Sequence, residues 1–207
     1  MNYKIFGIAV AVFLFAVMPA NAMVLSVVGG VDGVVPDEFD PVGFPGGVTA
    51  GDSIKIFNPG SVGGLTLSEN AVLKYEYYGK EAEFINIFFG DGSQFSTDTS
   101  VVGDTIFAST VAGLVPFTFS TLGSPDSATN GGVIDLGLSI AFAYLGEDSY
   151  LIMFNDGADD IDRDDLVVKV TVSQVPLPAA GWLLLSAIIG LFGFSRRRIG
   201  TAESTAA

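Results

Sequence analysis

An antiparallel β-sandwich followed by a single C-terminal transmembrane helix is the architecture this sequence predicts. Three observations predict it. Apolar runs of strand length alternate with Gly-, Pro-, Asn- and Asp-rich breaks through the middle of the chain. No stretch there repeats at the period of an amphipathic helix, and two long uncharged apolar runs stand at the termini.

The chain opens with Lys4 and an apolar run over 5–17, broken at Pro19 and followed by Ala20-Asn21-Ala22. This is the pattern of a secretory signal peptide cut after small residues by signal peptidase, so residues 1–22 are expected to be removed, leaving an exported part that begins near Met23. Within 26–52, Gly29-Gly30, Asp32-Gly33, Pro36, Pro41, Pro45 and Gly46-Gly47 break regular structure. Residues 23–52 therefore read as a Gly/Pro-rich surface arm. Short strands are expected over 54–57 and 65–67. The aromatic and branched stretches 71–78 and 84–89 are expected as neighbouring strands. Asp91-Gly92 suits a tight turn before Phe95, because Gly takes positive φ without steric cost.

Strand-length runs continue over 105–111 and 116–121. From 133 to 144, Ile134, Leu136, Leu138, Ile140, Phe142 and Tyr144 alternate with Asp135, Gly137, Ser139, Ala141 and Ala143. That two-residue period predicts one half-buried strand, with a small-residue face that leaves room for a close neighbour. Residues 151–154, and 166–172 with Leu166, Val168, Val170 and Val172 on one side, complete about eight strands joined by Gly and Pro turns. A sandwich follows, with the jelly roll as one form of it. No internal repeat is visible and Thr97-Asp98-Thr99 is a single Thr-x-Thr, which argues against a solenoid, a propeller or an ice-binding array.

At the C-terminus, Val175-Pro176-Leu177-Pro178-Ala179-Ala180 leads into an apolar run that carries no charge until Arg196, Arg197 and Arg198. Residues 177–195, taken as a helix, reach roughly 28 Å, about one bilayer core. The helix is placed at 179–195. The arginine cluster would stay on the cytoplasmic side with the 199–207 tail, leaving the preceding domain outside. A plain membrane anchor needs only the apolar run and the basic stop. The complete tripartite pattern, with glycines at Gly181, Gly190 and Gly193, resembles the PEP-CTERM sorting signal in its Val-Pro-Leu-Pro-Ala-Ala variant. Leu177 stands where the family usually carries Glu, a departure that this variant shares. The resemblance covers 175–198. It implies recognition by an exosortase, a membrane-embedded transpeptidase-like protease of Gram-negative bacteria, with cleavage at or near Val175, Pro176, Leu177 and Pro178. It also implies delivery to the cell surface or the exopolysaccharide matrix. The activity of the domain itself is a separate matter.

That domain spans 23–174. The whole chain has 9 basic and 23 acidic residues; setting aside Lys4, the three terminal arginines and Glu203 leaves 5 against 22, a net of about −17. Such a field repels nucleic acid and anionic lipid and attracts divalent cations and basic partners, although solubility alone also accounts for it. Cysteine and histidine are absent. This removes disulfides, thiol nucleophiles, Ser-His-Asp triads and the nitrogen- and sulfur-rich sites that zinc and copper favour. Carboxylate chemistry remains.

The densest carboxylate run is Asn155-Asp156-Gly157-Ala158-Asp159-Asp160-Ile161-Asp162-Arg163-Asp164-Asp165. Calcium, with six to eight oxygen ligands and tolerance of irregular geometry, relieves such crowding. If the loop is extended, Asp160, Asp162 and Asp164 share a side, and Asn155, Asp156 and Asp165 can complete the shell. The spacing is not that of an EF-hand, and a solvated acidic loop explains the run equally well. The run also resembles an Asn-Asp-Gly…Asp-x-Asp-Asp-Leu-Val-Val segment found just before the tail in PEP-CTERM proteins, a likeness that implies no activity. A second acidic group, Glu76, Glu81 and Glu83 with Asn86, lies near Tyr75, Tyr77 and Tyr78. Paired carboxylates and exposed rings would suit a carbohydrate-cleaving or carbohydrate-binding module. The expected function is that of an exported, non-enzymatic surface or matrix protein, calcium-stabilised in one form of the reading, with extracellular polysaccharide as a partner. The alternatives are that carbohydrate module and a simple periplasmic protein anchored in the inner membrane.

Overall fold

The computed structural model describes residues 24–81, 84–146, 148–157 and 162–173. The signal peptide with Ala20 and Ala22, the sorting motif Val175 to Pro178, the helix at 179–195 and the arginines Arg196, Arg197 and Arg198 all lie outside those residues. Among the described residues the fold is all-β and sandwich-like, with no helix and three antiparallel sheets.

Strands are numbered in chain order. The large sheet runs β2 (Val31–Val34), β3 (Ser53–Phe57), β12 (Ser139–Gly146), β13 (Ser149–Asn155), β14 (Leu166–Ser173), β5 (Ala71–Gly79) and β8 (Thr105–Thr110). A four-stranded sheet runs β11 (Ser127–Thr129), β10 (Phe117–Thr121), β6 (Asn86–Gly90) and β7 (Ser93–Ser96). The third is β1 (Leu25–Gly29), β4 (Gly63–Leu67) and β9 (Gly113–Leu114). One face of the large sheet meets both smaller sheets in a single core that includes Leu73, Tyr75, Ile140, Phe142, Ile152, Phe154, Leu166, Val168 and Val170. Phe88 is its hub, with the rings of Tyr75, Phe95, Phe117 and Phe119 centred 5.0, 5.9, 5.6 and 5.2 Å away. Phe119 stacks on Phe154 at 4.8 Å, which joins the four-stranded sheet to the centre of the large one.

The other face of the large sheet is covered over its central strands. Val35 and Val48, with Phe39 and Phe44 beside them, pack on Ile54, Ala141, Ala143, Leu151, Met153 and Val167. The segment expected as a surface arm thus contributes β1 and β2 and then a packed layer. Its glycines and prolines shape turns in that layer, while its few apolar residues reach the sheet. This layer also explains the small residues of β12: Ala141 and Ala143 leave room for it, so the strand is buried on both faces rather than one.

Two further expectations are corrected. The strand read over 133–144 begins only at Ser139, because Asp135 closes a turn: its amide donates to Ser127 O, its carboxylate accepts the Ser127 amide, and Leu136 is 89% exposed. The stretches 71–78 and 84–89 are not neighbours; β5 pairs with β14 and β8, and β6 with β10 and β7 in another sheet. By contrast Asp91-Gly92 does link β6 to β7 in a two-residue hairpin, both residues at positive φ (47° and 78°) and Gly90 opposite Ser93.

Because Phe88 is fully buried among four rings, Phe88→Ala is expected to lower unfolding stability by about 3–5 kcal/mol. Phe107→Ala, at an exposed position of edge strand β8, should stay within about 0.5 kcal/mol. Urea denaturation of the two variants measures both.

Candidate metal centre

Antiparallel pairing decides which acidic residues meet. Val167, at the start of β14, lies opposite Gly79, at the end of β5, so residues just after β5 stand beside those just before β14. Gly79 has φ +137°, and a Cβ there would sit 2.8 Å from Val42 O; the covering segment crosses the strand at this point. Val42 bridges to Lys80, the Glu81 amide donates to Asp164 O at 2.9 Å, and the Asp40 amide donates to Asp164 Oδ2 at 2.8 Å. Three separate segments of chain are held at one corner.

Carboxylate oxygens of Glu81, Asp162 and Asp164 all lie within 4.8 Å of one another there. Asp162 and Asp164 are buried, 6% and 1% exposed, whereas Glu81 faces solvent. Oδ1 of Asp162 is buried with no hydrogen-bond partner. A buried carboxylate oxygen left in that state is costly unless something positive reaches it. Arg163 stands beside Asp162: burial lowers its guanidinium from the usual value, and the Asp162 charge raises it. Lys80 is directed elsewhere, donating from Nζ to Thr97 O.

The other residues expected to share the shell have different partners. Asn155 Oδ1 accepts the Gly157 amide, Asp165 Oδ2 accepts the Asp156 amide at 2.7 Å, and Asp156 Oδ2 accepts Asn86 Nδ2 at 2.8 Å. These bonds frame the loop from within and tie it to β6. Asp160 lies outside the described residues. The structure therefore brings Asp162 and Asp164 together with Glu81, a residue that sequence reasoning placed in the other acidic group. The order of β5 beside β14 would have revealed it, and no local pattern announces that order.

The second acidic group is dispersed. Glu76 pairs with Lys74 at 2.9 Å, and Asn86 is buried, accepting from the Thr121 hydroxyl. Tyr75 and Tyr77 are core residues with no ring face for a sugar, Tyr78 packs edge-on against Phe44 with Lys169 over its ring, and Glu83 is outside the described residues. Comparison of the chain with family models, curated proteins and solved structures finds no match.

The Asp164 carboxyl is held well above the usual range, to about 8, first by burial, then by the hydrogen bond and charge of Asp162 and by the charge of Glu81; the Asp40 amide acts in the opposite direction. With the native value above the unfolded value of about 3.9, the native state binds more protons in the interval between them. The stability from this group is complete below the unfolded value and is lost as pH rises through the native one. In chelator, wild type should therefore lose stability relative to Asp164→Asn as pH rises from about 4 to about 8. Denaturation midpoints of the two proteins across that interval, if parallel, would contradict the assignment.

Proposed function

We propose that the chain is an exported, non-enzymatic β-sandwich module, processed by signal peptidase and an exosortase and delivered to the surface or exopolysaccharide matrix of a Gram-negative cell. The tripartite tail over 175–198 carries this reading. It is supported by the position of the last described strand, which ends at Ser173, so a cut at Val175 to Pro178 would spare every described strand. The reading takes the sandwich as jelly-roll-like, in keeping with the crossovers that put β3 beside β12 and β5 beside β14. It includes calcium as a stabilising ion and excludes nucleic acid as a partner, in line with the acidic composition. Expression in an exosortase-bearing host should yield a mature mass without 1–22 and without the tail. Replacing Pro176 and Pro178 with Ala should leave the protein uncut in the membrane fraction. A mature mass that keeps the tail in both would favour a simple inner-membrane anchor.

A carbohydrate-binding role is the second reading, and one observation favours it. Tyr144 and Tyr150, rings 5.2 Å apart, line a cleft of about 220 Å³ with Ser53, Asp32 and Lys55. An aromatic wall beside polar groups suits the apolar face and hydroxyl rim of a sugar. On a polysaccharide array, any binding by wild type should be lost in Tyr144→Ala; no binding by wild type would remove this reading.

A further inference from the structure

We propose that Glu81, Asp162 and Asp164 bind one divalent cation, calcium by the chemistry of the set, and that the ion fastens the chain after β5 to the chain before β14. The inference deepens the calcium part of the reading above and rests on it, but it does not depend on where the protein is delivered. Two independent observations carry it. The three carboxylates converge within 4.8 Å from segments more than 80 residues apart in sequence. Asp162, one of the three and nine-tenths buried, has a carboxylate oxygen, Oδ1, with no hydrogen-bond partner.

The ligand set selects the ion. All three groups are hard oxygen donors, and the chain has no histidine or cysteine to favour zinc or copper. Ligand oxygens on opposite sides of a calcium ion lie about 4.6–5.2 Å apart, twice the usual calcium–oxygen distance, so a spread of up to 4.8 Å suits one such ion. Magnesium requires a tighter and more regular octahedron. Glu81 faces solvent and offers a way in for a hydrated ion, while the two aspartates are buried. The Asp40 amide orients Asp164 through Oδ2, and the Glu81 amide bonds to the Asp164 carbonyl, so two of the three ligands are held relative to each other by the main chain. Arg163 offsets part of the negative charge beside Asp162, and Lys80 is held at Thr97. A doubly charged ion meets the remaining demand.

The test is calorimetric titration of calcium chloride into the full-length chain, purified in detergent and stripped with chelator, together with thermal unfolding in chelator and in calcium. One ion per chain is expected, with a rise in melting temperature because the ion binds the native form. Glu81→Gln and Asp162→Asn should each weaken binding by at least about tenfold, the scale on which loss of a ligand or its support is felt. Both should lose the calcium-dependent rise, while the distant Glu69→Gln should bind as wild type does. Magnesium should compete only in large excess. Absence of binding by wild type would overturn the site, as would unchanged binding in both variants, since the ion would then lie elsewhere in the acidic loop. If circular dichroism in chelator shows Asp162→Asn unfolded, Glu81→Gln decides, because its exposed side chain supports no core. Calcium binding by a chain that is never cut would sink the sorting reading and leave this one; a cut chain indifferent to calcium would do the reverse.

Discussion

Burial of the centre of the large sheet on both faces is the constraint from which the rest of the structure follows. β13 is buried at every one of its positions, Ser149 through Asn155, so no face of it is left to water. A strand of that kind is stable only between two layers. The two smaller sheets supply one layer through the Phe88 and Phe119 rings. Among the described residues, no sheet supplies the other. A segment poor in regular structure does so, placing Val35, Phe39, Phe44 and Val48 over Ala141, Ala143, Leu151 and Met153. Covering a sheet with irregular chain raises a difficulty of its own, because such chain has main-chain groups that need partners. They find them locally, as in the Val35 amide to Asp52 O and the Gly51 amide to Val35 O, and at the far end through Val42 with Lys80 and Asp40 with Asp164.

The acidic corner follows from that arrangement. Where the covering segment crosses the end of β5, glycine is needed because side-chain atoms would meet the Val42 carbonyl, and the next two residues are Lys80 and Glu81. β14 runs antiparallel to β5, so its leading residues, Asp162 and Asp164, arrive at the same corner from the opposite direction. Burial there is imposed by packing, while negative charge is imposed by sequence, and the two are in conflict. An amide from Asp40, a neighbouring guanidinium and an elevated proton affinity at Asp164 all relieve it in part. The cation proposed above would relieve it more fully.

Much of the β-sheet content is legible in the chain. The runs at 54–57, 65–67, 71–78, 105–111, 116–121, 151–154 and 166–172 correspond to strands, and Asp91-Gly92 to a hairpin turn, since each depends on neighbours within a few residues. Alternation misleads over 133–138, where Asp135 bonds to Ser127 and competes successfully with the extended pairing that the pattern suggests. Gly and Pro mislead over 26–52. They show that the chain turns often, not whether it turns in water or against a sheet, and β1, β2 and the packed layer all lie within or at the edge of that stretch.

Local chemistry was settled by the sequence alone: a cysteine-free and histidine-free chain whose described residues form strands and no helix, with a dense aspartate run between the last two described strands. These are properties of composition and of spacing along the chain. Which carboxylates meet was decided only by tertiary structure. Glu81 belongs with Asp162 and Asp164 because β5 pairs with β14, and the two strands pair because the large sheet closes its core through contacts between residues far apart in sequence. Partnership across a sheet is set by the competition among all strands for neighbours, and no window of sequence contains that competition.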